Sequence, residues 1–146
     1  MNYLPQPMDN IQKLFSPNSD THAIRVIGPN HSLLFLPDHD DWEGTLELVG
    51  EVSIREWLIS MGVKFAMIDG TFWSDDELGG TDMTQLPHPT ISESLEPLGE
   101  RRDGDPEIIF IHLNHTNPAL DGGSSQAGHL SDLGWSVGEQ GSTLLL

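Results

Sequence analysis

The stretch Glu107–Pro118, EIIFIHLNHTNP, decides how the rest of the chain is read. Its first half is a continuous apolar run, Ile108 to Ile111, with the length and composition of a strand covered on both faces. Its second half turns abruptly polar, with His112 and His115 interleaved with Asn114 and Asn117 ahead of Pro118. A turn requires neither two imidazoles nor two amides. A strand that delivers a metal ligand or a proton carrier at its carboxyl end accounts for the change.

Two other apolar runs end the same way. SLLFLP, from Ser32, runs into Asp38, and VKFAMI, from Val63, runs into Asp69. Taken singly, Asp38 and Asp69 read as Asx turns, and His112 as a core histidine with satisfied nitrogens. Three such endings together favour a site. If the three strands are parallel neighbours, their carboxyl ends share one rim, the usual place for a site in an α/β sheet. Carboxylate and imidazole together suit zinc, manganese or iron.

The segments between these runs set the architecture. AIRVIG and SLLFLP flank a Gly-Pro-Asn turn and predict a hairpin. In SIREWLISMG the apolar residues Ile54, Trp57, Leu58 and Met61 recur with helical spacing, Ser53 and Glu56 form a capping box, and Gly62 ends the helix. A second capping box, Thr90 with Glu93, opens a helix that carries Ile91, Leu95 and Leu98 on one face and is shortened by Pro97. SSQAGHLSDLG predicts a short helix ending at Gly134. The aperiodic segment from Asp69 to Pro89 is long for a compact domain and so is functional or poorly ordered. Residues 1–22 form a poorly patterned amino-terminal segment, and residues 23–146 form the patterned domain. Strands alternating with helices define an α/β layered architecture.

The bulk properties remove several classes of function. The chain has 146 residues, enough for one domain with a modest core. It carries 23 acidic and 6 basic residues, a formal charge of −17, which repels nucleic-acid phosphates and anionic membranes. The same charge also serves plain solubility. With no cysteine there is no disulfide frame and no thiolate zinc site, so a metal would be held by His, Asp or Glu. The start, MNYLPQPMDN, lacks a basic region and an apolar core, and no apolar run reaches the ~18 residues of a membrane span. A soluble, cytoplasmic protein is the expectation.

Other histidines read differently. His88 lies between two prolines in LPHPT, where a stiff backbone presents the ring just before a helix; a catalytic and a turn-forming role are both open. His22, His31 and His129 read as surface. His39, in PDHDDW, reads as part of a solvated loop rather than as a neighbour of the site, and His115 as a hydrogen-bond partner rather than a second ligand. IDGT is not the start of an aspartyl-phosphate phosphatase motif, because the nucleophile would stand two places before Asp69, where Met67 is found.

Four segments, SDTHAIRVIGPNHSLLFLPDHDDW, FAMIDGTFWSDDEL, LPHPTISESLEPLG and IHLNHTNPALD with LGWSV, together resemble the later half of metallo-β-lactamase-fold metallo-hydrolases. The branch they resemble most is pyrroloquinoline quinone (PQQ) biosynthesis protein B. The resemblance covers residue 19 to the end and implies a metallo-β-lactamase-like αββα sandwich with metal at the sheet edge. It also implies that Asp38 and His112 are metal ligands, that Asp69 and His88 form a proton relay, and that Asn114 matches an asparagine usual in the branch. The implied cofactor is a divalent metal, zinc or manganese, and the implied partner a small-molecule substrate.

The chain departs from that family in one respect. The H-x-H-x-D-H signature that supplies most metal ligands is absent, and no histidine precedes the S-D-T. The expectation is therefore an incomplete sandwich, corresponding to its second half. Metal binding should be weak and activity impaired in this chain alone, with an inner sheet face left bare. Self-association, or pairing with a chain that carries the other half, follows from that expectation. The rival readings are a non-catalytic acidic module that pairs with such a chain, or a truncated product.

Overall fold

The computed structural model describes residues 11–15, 22–80, 83 and 86–146. The Ser19–Thr21 part of the first resembling segment lies outside them. Among the described residues the strands form a six-stranded sheet in sequential order. They are β1 (Ile11–Phe15), β2 (Ala23–Ile27), β3 (Ser32–Leu36), β4 (Phe65–Asp69), β5 (Glu107–Ile111) and β6 (Ser136–Val137). The first three strands meander antiparallel, and β3 to β6 run parallel. Each parallel connection carries a helix: α1 (Trp42–Val49) and α2 (Ile54–Met61) after β3, α3 (Ile91–Leu98) after β4, and α4 (Ser125–Asp132) after β5.

Local chemistry fixes the helix boundaries. The Ser53 hydroxyl accepts from the Glu56 N–H and the Thr90 hydroxyl from the Glu93 N–H, so both capping boxes start helices as read. Ser124 caps α4 in the same way, accepting from the Ala127 N–H. Gly62 closes α2 in the left-handed conformation. Pro97 sits in the last turn of α3, which ends at Leu98, close to where that proline was expected to stop it.

Two elements differ from the sequence reading. Residues 11–15 form an edge strand although the amino-terminal segment shows no period. A helix, α1, begins at Trp42, with Asp41 as its cap. Gly44 and the β-branched Thr45 and Val49 lower its intrinsic helix propensity, which hid it. Burial of Trp42 and Thr45 holds it in place.

The strand register sorts the sheet into two unlike faces. Leu34, Leu36, Ala66, Ile68, Ile108 and Phe110 point to one side and join Trp42, Trp57, Leu58, Ile91, Leu95, Leu98 and Leu130 in a single core. Every helix contributes to that core. At roughly 1.5–3 kcal/mol per fully buried large apolar side chain, this face dominates the stability of the fold. The Trp42 indole N–H donates to the Ser94 hydroxyl at 2.7 Å, tying α1 to α3 inside it.

On the opposite side lie Ile24, Val26, Leu33, Phe35, Met67 and Ile111, all only half-buried. The carboxyl-terminal segment crosses part of this face. Gly138, Glu139, Ser142 and Leu144 come together with Met67, Ile109 and Ile111 around a cavity of about 300 Å³, and Leu146 reaches Gly28. A Cβ on Gly28 would overlap the Leu146 Cβ, so only glycine admits that approach. The expectation that nothing in this chain shields the second face thus gains a correction: its own last nine residues cover a portion.

Candidate metal centre

Three parallel strands bring the site together. β3, β4 and β5 are adjacent and in register, with Leu36 beside Ile68 and Asp69 beside Ile111. Asp38, Asp69 and His112 consequently emerge on the same rim. His88 arrives from the long segment after β4, whose return is pinned where the Ile91 and Ser92 N–H groups donate to the Phe72 and Trp73 carbonyls.

Asp69 is the centre of the arrangement and is fully buried. Its Oδ1 accepts from the Thr71 N–H at 2.9 Å and the Thr71 hydroxyl at 2.7 Å. Its Oδ2 lies 2.7 Å from His88 Nδ1 and 3.4 Å from the His39 N–H. Asp38 Oδ1 stands 3.4 Å from the same His88 nitrogen, and the His88 and His112 rings are 5.8 Å apart between centroids. Thr71 Oγ1 lies 3.0 Å from His112 Nδ1. Asp38, Asp69, His88 and His112 are therefore linked into one group, with Thr71 inside it.

The backbone at His112 is held in the left-handed region, φ 65, which no other non-glycine among the described residues adopts. Such a conformation costs on the order of 1–3 kcal/mol and persists where the surroundings fix it. Here the surroundings are hydrogen bonds on both sides. The Gly70 N–H donates to the Ile111 carbonyl and the Asn114 N–H to the Thr71 carbonyl, both at 2.8 Å. The Asn117 side chain donates to the Gly70 carbonyl at 2.9 Å and accepts from the Ala119 N–H. Asn114 donates to Thr116, whose hydroxyl donates to Glu77. The two asparagines of the opening stretch clamp the 70–71 turn against the residue that carries the imidazole.

His39 corrects the sequence reading. It is fully buried rather than solvated, packed edge-on against Trp42 with centroids 4.6 Å apart, and neither ring nitrogen has a hydrogen-bond partner among the described residues. Burial drives its pKa down to about 4 against the opposing pull of Asp69. His115 is exposed in the turn and lies outside the metal-capable group. His22, His31 and His129 are exposed as read, and the His129 ring stands edge-on to Trp73.

The donor set suits a divalent metal. Asp69, His88 and His112 offer ligand atoms all within 4.8 Å of one another, and oxygen with imidazole nitrogen is a zinc-type combination. Zinc bonds of ~2.0–2.2 Å place two ligands of one ion roughly 3.5 Å apart, so the group would have to draw in by about 1 Å to share an ion. Asp69 already carries four hydrogen bonds, about the capacity of a carboxylate, which suits it better to orienting the rings than to binding the ion. The 300 Å³ cavity on the second sheet face is lined in part by His112 and Leu113, so a ligand there would touch the same edge.

Thr71 and Glu77 were not singled out from sequence, and Asn117, though noted in the opening stretch, was not read as a clamp on Gly70. The D-G-T turn was the available signal for Thr71. Nothing local marks the pairings of Asn117 or Glu77, whose partners are 47 and 39 residues away.

The mixed sheet with helices on one face matches a solved structure of the metallo-β-lactamase fold. The crystal structure of Zn(2+)-bound PqqB from Methylobacterium extorquens superposes with a TM-score of 0.65 over 97% of this chain and 49% of that one, at 22% identity. Within the class, the chain is similar in sequence to coenzyme PQQ synthesis protein B. The protein of that name from Azoarcus sp. (strain BH72) is 33% identical over 106 residues, which is 67% of this chain and 34% of the relative. Those from Nitrosococcus oceani and Pseudomonas fluorescens (strain Pf0-1) are 28% and 26% identical, over 97% and 100% of this chain and 47% and 50% of theirs. The chain thus spans a third to a half of the length of these relatives. No family model matches it.

Proposed function

We propose that this chain carries one side of the metal site of a metal-dependent hydrolase-like protein related to coenzyme PQQ synthesis protein B. The observation that supports this most is the linked group of Asp38, Asp69, His88 and His112 on one rim of the parallel strands. Asp38 and His112 hold a divalent metal, zinc or manganese. When bound, such an ion supplies Lewis-acid polarisation and lowers the pKa of coordinated water. His88, held by Asp69 at 2.7 Å, accepts and returns protons at its ring, with Asp69 fixing the ring's orientation. Asp38, 34% exposed, and the exposed His112 face the solvent side, where a small-molecule substrate enters.

Asp38 and His112 are two ligands, fewer than the usual three protein ligands of a catalytic zinc. Weak binding by this chain alone follows. Calorimetric titration of the metal-free protein with zinc tests it. A weak isotherm that disappears in His112→Ala supports the reading, whereas no heat at millimolar zinc removes the metal site. A second reading is supported by the half-buried face formed by Leu33, Phe35, Met67 and Ile111, together with the relatives' greater length. In it, the chain pairs through that face with a copy of itself or with a chain carrying the other half. Size-exclusion chromatography of the isolated chain distinguishes a monomer from these assemblies.

A further inference from the structure

The hydrogen bonds around Asp69 have a fixed direction, and that direction reaches His112 through Thr71. A carboxylate only accepts. Thr71 has one hydroxyl proton, and it goes to Asp69 Oδ1 at 2.7 Å, where the Thr71 N–H also donates. The Thr71 oxygen is then left as an acceptor. Two ring nitrogens face it, His112 Nδ1 at 3.0 Å and His88 Nδ1 at 3.4 Å. The second is the nitrogen at 2.7 Å from Asp69 Oδ2, so its proton is already committed. The group that donates to Thr71 is therefore His112 Nδ1.

We infer that Thr71 is a positioning residue that locks His112 in the tautomer protonated on Nδ1, while Asp69 directly locks His88 in the same tautomer. Both rings then keep their lone pair on Nε2. One acceptor-only carboxylate in this way sets the proton on two imidazoles, one directly and one through a single hydroxyl. A metal takes a histidine through the nitrogen that lacks a proton, and the other nitrogen is ordinarily anchored by an outer carboxylate, carbonyl or water. Here the anchor for His112 is a threonine that is itself aimed by the carboxylate.

The surrounding chain holds Thr71 where this requires. Gly70 lies so close to β5 that a Cβ on it would be 2.8 Å from the Phe110 Cβ, and the Thr71 carbonyl accepts from the Asn114 N–H at 2.8 Å. Thr71 is 7% exposed, so water does not readily replace its hydroxyl. A threonine serving only to cap the Asp69 turn would make the Asp69 bonds without facing His112.

The inference rests on the metal-site reading for its purpose, but its test needs no metal. Long-range proton–nitrogen correlation spectra of the metal-free, nitrogen-15-labelled full chain at pH 8 report which nitrogen of each neutral ring carries the proton, with His112→Gln assigning the signals. The expected result is an Nδ1-protonated His112 in the wild type and in Thr71→Ser, and a shift toward the Nε2-protonated form in Thr71→Val. An Nε2-protonated His112 in the wild type overturns the inference, even if no variant folds. So does an unchanged tautomer in a folded Thr71→Val. Zinc titration of the same proteins separates the two ideas. Zinc affinity should fall about 10-fold or more in Thr71→Val and recover in Thr71→Ser. The expected tautomers with no zinc binding in the wild type would leave the Thr71 role standing and remove the metal-site reading.

Discussion

Replacing His39 with phenylalanine should flatten the stability of this protein between about pH 4 and pH 6.5. The ring is fully buried with no partner for either nitrogen among the described residues, and burial lowers its pKa from 6.5 to about 4. The unfolded chain therefore binds this proton more tightly than the folded one. Stability contributed by the neutral buried ring is fully present above about pH 6.5 and is lost as pH falls toward 4, below which both states are protonated. A gap of 6.5 − 4, about 2.5 pH units, at ~1.36 kcal/mol per unit corresponds to about 3 kcal/mol. That is a large part of the ~5–15 kcal/mol available to a domain. Urea unfolding at half-unit pH steps measures the slope, and the difference between wild type and His39→Phe cancels the carboxylates common to both. Phenylalanine is apolar and ring-shaped, so it keeps the edge contact with Trp42. Identical pH slopes in the two proteins would refute the argument, since the buried ring would then not be the group that gains the proton on unfolding.

Other substitutions test the packing that positions the site. Gly70→Ala should destabilise by about 1–3 kcal/mol, because the added Cβ meets Phe110, Leu113 and the Ile111 carbonyl at 2.8–3.2 Å; thermal unfolding reads this, and no loss would mean the 70–71 turn yields freely. Arg55→Ala breaks a half-buried, two-pronged ion pair to Asp105 and a bond to the Glu100 carbonyl, all near 3 Å. Burial raises the Asp105 carboxyl, but the Arg55 hydrogen bonds, the Arg102 N–H and the charges of both arginines together outweigh it and hold the pKa low. The expected cost is about 1–2 kcal/mol at pH 7, discounted for solvent screening of a half-buried pair, and it shrinks as Asp105 is protonated in acid, as denaturant titration at pH 7 and pH 3 would show. Trp42→Phe leaves the buried Ser94 hydroxyl without its 2.7 Å donor and should cost about 1–3 kcal/mol, with α1 losing hydrogen-exchange protection first.

Much of the candidate site was legible in sequence because its parts are local signals. An apolar run followed by Asp38, Asp69 or His112 is contained within a few residues, and so are the capping boxes at Ser53 and Thr90. The stiffness of Pro87–His88–Pro89 is equally local. Other features are invisible in a linear reading because they are pairings over distance. Thr71 meets His112 across 41 residues and Asn117 meets Gly70 across 47, neither inside a periodic segment. His39 looked solvated because four of its neighbours in PDHDDW are Asp or Pro. It is buried because α1, itself hidden by Gly44 and Thr45, folds Trp42 back over it.

By itself, then, the sequence determined most of the strands and helices, though not β1 or α1, and which acids and imidazoles stand at strand ends, since backbone preference, capping and apolar periodicity act within one or two turns of chain. Only the tertiary structure decided that β3, β4 and β5 are parallel neighbours and that Asp69 is saturated with hydrogen bonds. It likewise decided that one sheet face is fully covered and the other partly roofed by the chain's own last residues. Those outcomes depend on which distant surfaces exclude water from each other, a quantity no short window of sequence contains.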